Sequence, residues 1–179
     1  MRRSVLAAAV TMAVAVAVVS AQKTTTVHPG KGGSPHVRTE WTIDGANISI
    51  EYGRPFLKGR DELQQMLANG PVWRAGADEA TTLKTDKMLM FGATHLGPGT
   101  YTLWVLPGGK EWLLIFNKQT GQWGTAYDAK QDLAREKLTV GKAAKPVEQV
   151  TWSIVDTPAG GTLRLEWGTT SLSIPFQAM

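Results

Sequence analysis

The chain has 179 residues, a formal net charge of +4, seven tryptophans and no cysteine. Without cysteine there are no disulfides, thiolate metal sites or thiol chemistry, so the fold must be held by packing alone. The charge falls to +2 once Arg2 and Arg3 are removed, and basic residues alternate with acids throughout, which argues against nucleic acid as a partner.

In chain order, Arg2 and Arg3 precede an Ala/Val-rich run that ends at Val19-Ser20-Ala21. This pattern predicts a secretory signal peptide over residues 1–21, cut after Ala21. The apolar stretch from Leu6 to Val19 is 14 residues, short of the roughly 20 a spanning helix needs, so no stable membrane anchor is expected after cleavage. The expected address is bacterial and exported, periplasmic or extracellular. Residues 22–35, "QKTTTVHPGKGGSP", carry few apolar side chains and are expected to be a flexible leader. Residues 36–179 are then one domain of ordinary size.

Alternation of apolar and polar residues dominates that domain. Ile48, Ile50 and Tyr52 share one face of a strand; so do Leu163, Leu165 and Trp167, and Leu172, Ile174 and Phe176. "YTLWVL" and "EWLLIF" are apolar on both faces and separated by "PGGK", which predicts a central hairpin covered on each side. Acids at Asp61 and Glu62, Leu63, Met66 and Leu67 at helical spacing, and a closing Asn69-Gly70-Pro71 predict one short helix near residues 61–69. Residues 128–138 read as a loop or short helix running into a strand, and "GKAAKPVE" at 141–148 as a loop. The expected fold is all-β: a single-domain antiparallel β-sandwich with one short helix.

The chemistry-bearing residues form no familiar active site. His28, His36 and His95 show neither the i, i+4 spacing of a helix nor the His-x-His spacing of a strand, so no metal site and no cofactor is expected. His36, where the ordered domain should begin, is the histidine to follow. There is no Gly-x-Ser-x-Gly elbow and no catalytic residue is assigned. A glycosidase-like pair would need Glu79 with a second carboxylate such as Glu51.

Two loop-like segments are more informative. In "YGRPFLKGR" (52–60) and "VWRAGADEATT" (72–82), Arg54, Arg60 and Arg74 lie close to Glu51, Asp61, Asp78 and Glu79. Guanidinium–carboxylate forks could pin loops at the edge of the sandwich, with Gly53 and Gly59 allowing unusual dihedrals and Pro55 holding Arg54 extended. This structural clasp comprises Gly53, Pro55, Gly59, Arg60, Asp61 and Asp78. The alternative is a pocket in which an arginine stays unpaired, Arg54 being the better candidate and Arg60 the better clasp. Trp41, Trp152 and Trp167 follow strand alternation and belong to the core, whereas Trp73 and Trp123 sit beside glycine and arginine where an indole can be core or platform.

Several segments together, "SPH" (34–36), "ISIEYGRPFLKGR" (48–60), "VWRAGADEATT" (72–82), "LGPGTYTLWVLPG" (96–108), "WLLIFNK" (112–118) and "QWGTAYD" (122–128), resemble the exported bacterial proteins grouped as domain of unknown function 2911. The resemblance implies an all-β, single-domain exported protein and brings no activity, cofactor or catalytic residue. Its pattern usually has Asn where this chain has Asp78. The leading expectation is a non-catalytic binding module in which Arg54, Trp73, Arg74, Glu79, Trp123 and Tyr127 line a cleft for a small anionic or carbohydrate-like ligand. The rivals are an envelope or polysaccharide hydrolase using Glu79, and a structural or interaction protein without a small ligand.

Overall fold

The computed structural model describes residues 22–68, 70–108 and 111–179, so the expected signal peptide lies outside the described residues. Period-two burial organises the first large elements. In β2 (His36–Ile43) Val37, Thr39, Trp41 and Ile43 point inward, and in β3 (Ala46–Gly53) Ala46, Ile48, Ile50 and Tyr52 do the same. The two strands pair from His36 opposite Gly53 to Ile43 opposite Ala46, closing on the tight Asp44-Gly45 turn, where both residues have positive φ. Arg38, Glu40 and Thr42 are left on the outer face.

Beyond β3 come β4 (Thr82–Thr85), β5 (Leu89–Phe91), β6 (Thr94–Leu96), β7 (Gly99–Leu106) and β8 (Trp112–Asn117). The chain ends in two long strands, β9 (Asp132–Thr157) and β10 (Gly160–Ala178). With β1 (Lys23–His28) they form one antiparallel sheet of ten strands in the order β1-β2-β3-β4-β7-β8-β9-β10-β5-β6. β7 and β8 are the expected hairpin, paired from Thr102 with Asn117 to Leu106 with Leu113.

This single sheet curls over itself. The far half of β9 returns to the β2–β3 end, where the Tyr52 hydroxyl accepts the Trp152 backbone N–H at 3.1 Å and the Trp152 indole N–H donates to the Ala75 carbonyl at 3.1 Å. One continuous core results, running from Val37, Trp41 and Ile50 to Leu165, Trp167 and Phe176. A smaller cluster of Ala80, Trp104 and Ile115 sits on the opposite face of the β7–β8 hairpin, with Tyr127 packed against it. Among the described residues no helix is long and apolar enough to cross a membrane.

Two local expectations are corrected. The stretch 22–35 is not wholly a flexible leader, because Lys23–His28 forms edge strand β1 against β2. Its threonines bring β propensity and backbone hydrogen bonds although they contribute little apolar surface. Residues 141–148 are not a loop between elements but part of β9, where Lys142 faces Thr170 and Val147 faces Gly168. The residues between them bulge out around Pro146, which cannot donate to a ladder. Helix α1 (Glu62–Leu67), capped by Asp61, buries only Met66; Leu63 and Leu67 remain exposed. The expected loop or short helix before β9 is a single 3-10 turn at Ala129–Gln131.

Candidate functional site

The two signature segments have different jobs. "YGRPFLKGR" is a strap laid along β9. Leu57 N–H donates to the Glu148 carbonyl at 2.8 Å, and Val150 N–H to that of Pro55 at 3.2 Å. Arg54 donates through Nε to the Val150 carbonyl and through Nη2 to Thr151 Oγ1, both at 3.0 Å. Arg60 donates to the carbonyls of Leu57 and Phe56 and to Gln65 Oε1. Arg60 is therefore a clasp, but to carbonyls rather than to Asp61, whose carboxylate caps α1 through Gln64 N–H at 2.9 Å. Arg54 is a clasp too, contrary to its expected ligand role. Lys58 and Gly59 both have positive φ and turn the strap back.

The segment 73–81 is a folded loop wedged between β7 and the turn at residues 122–124. Trp73 exchanges backbone bonds with Val105 at 2.7 and 2.8 Å, and on the other side Gly124 N–H donates to the Asp78 carbonyl at 2.8 Å while Glu79 bridges Trp123. Two residues with side chains take left-handed φ, Ala75 at 53° and Asp78 at 60°. Asp and Asn tolerate this region better than other side-chain-bearing residues, so Asp78 retains the backbone property that an Asn would bring. The loop's carbonyls are taken by side chains from elsewhere: Ala75 by Trp152 and by Thr81 Oγ1, Ala77 by His36 Nε2. Gly53 and Gly124 are required by close approach. A Cβ on Gly53 would lie 2.4 Å from the Ala77 carbonyl oxygen and 2.8 Å from His36 Nε2, and one on Gly124 would lie 2.1 Å from Arg74 Cδ.

The β1–β2 loop closes over this structure. Lys31 N–H donates to Asp78 Oδ2 at 2.9 Å, Lys31 Nζ stands 4.9 Å from the centre of the Trp123 ring, and Gly30 N–H donates to His28 Nδ1 at 3.1 Å. His28 and His36 are register partners whose rings stack 4.3 Å apart, 12° from parallel. Glu79 Oε2 lies 3.1 Å from His36 Nε2 and 3.7 Å from His28 Nε2. His36 is buried, so the histidine to follow proves to be a packed one, while Glu79 keeps part of its side chain at the surface.

Of the six residues expected to share a cleft, Arg74, Glu79 and Trp123 lie in this loop cluster and the other three serve packing. Trp73 is buried and stacked on Trp167 at 5.7 Å. Arg54 is held by β9. Tyr127 leans on Trp104 and donates its hydroxyl to Asp132 Oδ2 at 2.7 Å. Arg74 is the arginine left over. It is half-buried, its only hydrogen bond among the described residues is a long one of 3.4 Å from Nε to the Gly76 carbonyl, and burial pulls its pKa down while Asp78 partly restores it. Its two terminal nitrogens have no protein acceptor among the described residues. Trp123, 37 % exposed, is the exposed indole of the pair.

Glu51, the carboxylate that could have completed a glycosidase-like pair with Glu79, instead accepts from Arg38 Nε and Nη2 at 3.0 and 2.6 Å on the outer sheet face. On that face lies a groove of about 750 Å³ lined by Arg38, Glu40, Ser49, Lys84 and Thr100. Within it Arg38 is ion-paired with Glu51 and the Asn47 amide donates to Asp86, and neither the 53–60 strap nor the 73–81 loop lines it.

The spacing rules missed His28 and His36 because they meet through hairpin register, a relation visible only once β1 is recognised as a strand. A curled, single-sheet all-β domain whose signature loops gather at one end is thus the class of protein defined here. The chain belongs to the family described as protein of unknown function DUF2911, whose pattern matches residues 34–176. No curated protein and no solved structure matches it.

Proposed function

We propose that the protein is an exported, non-catalytic binding module whose ligand site is the loop cluster at Arg74, Glu79 and Trp123, with Arg74 as the anchor for a small anionic or sugar-acid ligand. The observation that carries this reading is the state of Arg74: a half-buried guanidinium whose terminal nitrogens meet no acceptor among the described residues. Terminal nitrogens that no protein acceptor occupies are free to meet an incoming anion, and the guanidinium fork suits a carboxylate or phosphate. Trp123 adds a partly exposed indole near it, with the Lys31 ammonium over its ring as a second cation for an anionic ligand. Export is part of the proposal. A cut after Ala21 would leave β1, which begins at Lys23, intact as the first strand of the mature chain.

The test is thermal unfolding at matched ionic strength with inorganic phosphate, citrate and glucuronate, and with glucose as the neutral control. A ligand that binds only the folded state raises the unfolding temperature with its concentration. At least one anion is expected to do so, and Arg74→Gln to abolish the effect with little change in unliganded stability. Arg54→Met serves as the contrast: it removes bonds between the strap and β9 and should cost about 1–3 kcal/mol. If no anion stabilises the wild type, or Arg74→Gln responds equally, the reading is wrong and a purely structural role for these loops replaces it.

A further inference from the structure

The register of the first hairpin and the folded loop 73–81 bring two imidazoles and one carboxylate to a common centre. We propose that His28, His36 and Glu79 form a binding site for a divalent transition-metal cation of the zinc class. The donor types suit such an ion, since histidine nitrogen with a carboxylate oxygen is a common zinc set. The spacing suits it as well. Bonds of about 2.0–2.1 Å to a tetrahedral ion place neighbouring ligand atoms roughly 3.3 Å apart. The separations here are 3.1 Å from His36 Nε2 to Glu79 Oε2 and 3.7 Å from His28 Nε2 to Glu79 Oε2.

A second observation points the same way. Glu79 Oε2 is itself buried yet has no hydrogen-bond partner, although other parts of its side chain meet solvent. Each imidazole nitrogen carries at most one proton, and that on His36 Nε2 has the Ala77 carbonyl to serve. No lysine or arginine pairs with Glu79 among the described residues; the nearby Lys31 ammonium lies over Trp123 instead. A cation at the centre would satisfy the orphaned oxygen and take the place of the protons on both Nε2 atoms.

Loading has one structural consequence. With Gly30 N–H donating to His28 Nδ1, the neutral His28 ring holds its proton on Nε2. Metal at Nε2 moves that proton to Nδ1, so Gly30 N–H must turn away and the 29–33 loop shifts. Gly30 and Gly33 both sit at left-handed φ in this loop, and a Cβ on Gly30 would strike the Ser34 carbonyl.

The proposed metal site shares Glu79 with the anion site but requires neither Arg74 nor Trp123. The experiment titrates chelator-treated, tag-free protein with Zn²⁺ by calorimetry and with Co²⁺ by visible absorption. The expected result is one equivalent bound, with Co²⁺ bands of a low-symmetry site. His28→Ala and Glu79→Gln should each weaken Zn²⁺ by about tenfold or more, while Arg74→Gln stays within about twofold of wild type. His28 is a partly exposed edge residue, so its replacement leaves the core intact. Absence of saturable Zn²⁺ and Co²⁺ binding, or wild-type affinity in both ligand variants, overturns the proposal. Loss of metal binding with anion stabilisation retained would strike this inference alone, and the reverse result the anion site alone.

Discussion

Tyr127 shows how one side chain records its surroundings. Its hydroxyl donates to the Asp132 carboxylate and accepts from Arg135 Nη2 at 3.2 Å, and its ring rests against Trp104. Burial, followed by the bond to Asp132, pushes its pKa up to about 12. An unfolded tyrosine ionises near pH 10. Between about pH 10 and 12 the unfolded chain therefore binds fewer protons than the folded one, and stability falls as pH rises through that window. Tyr52, whose pKa is also raised mainly by burial, adds to the same slope. Tyr127→Phe is expected to flatten the alkaline loss of stability in part, as read by urea unfolding across that range; an unchanged slope would refute the assignment. At this scale the sequence was a partial guide. Motif membership marked Arg54 and Arg74 alike, yet only the reach of β9, nearly a hundred residues on, decides that Arg54 is tied down and Arg74 is not.

Among the elements, legibility followed burial. β3 and β10 could be read from period-two patterning, and the β7–β8 hairpin from runs apolar on both faces, because one or both of their faces are covered. β1 and the 141–148 stretch of β9 could not, since edge and solvent-facing strands need backbone pairing more than apolar side chains. Helix α1 is a third case, its apolar spacing being real although two of the three residues stay exposed. It is held less by burial than by its first turn. The Glu62 carboxylate accepts from Thr169 N–H and Oγ1 and from Thr170 Oγ1, at 3.2, 2.9 and 3.3 Å, beside Gly168 at φ 58° in β10. Hydrogen bonds from its own backbone and from the Thr169 and Thr170 groups hold the Glu62 pKa below 4.5, so the tether is complete above that pH and lost as pH falls through the lowered value. Glu62→Ala is expected to speed amide exchange across 62–68 with a global cost under about 1 kcal/mol, as for other exposed charged contacts. Unchanged exchange in α1 would show that Met66 alone holds it.

For the whole molecule, one sheet curled over one core explains how segments far apart in sequence come to share a corner. The β1–β2 loop, the 73–81 loop and residues 122–124 meet where β9 returns to the start of the sheet, and that convergence depends on Trp152 reaching Ala75 and on Gly53 leaving room for His36. The fold class was legible from the sequence, whereas the convergence was not, because it is set by strand register and by the bend in β9. A groove of about 750 Å³ lies elsewhere, on the outer sheet face around Arg38, Ser49 and Lys84. The most direct measurement of where ligands bind is therefore two-dimensional nitrogen–proton NMR of the labelled protein during addition of the anion that stabilises it most. The account predicts shifts concentrated at Lys31, the Arg74 Nε–H, Asp78 to Ala80 and the Trp123 indole N–H, and their loss in Arg74→Gln. Shifts centred instead on Arg38, Ser49, Lys84 and Thr100, with the loop cluster silent, would contradict it.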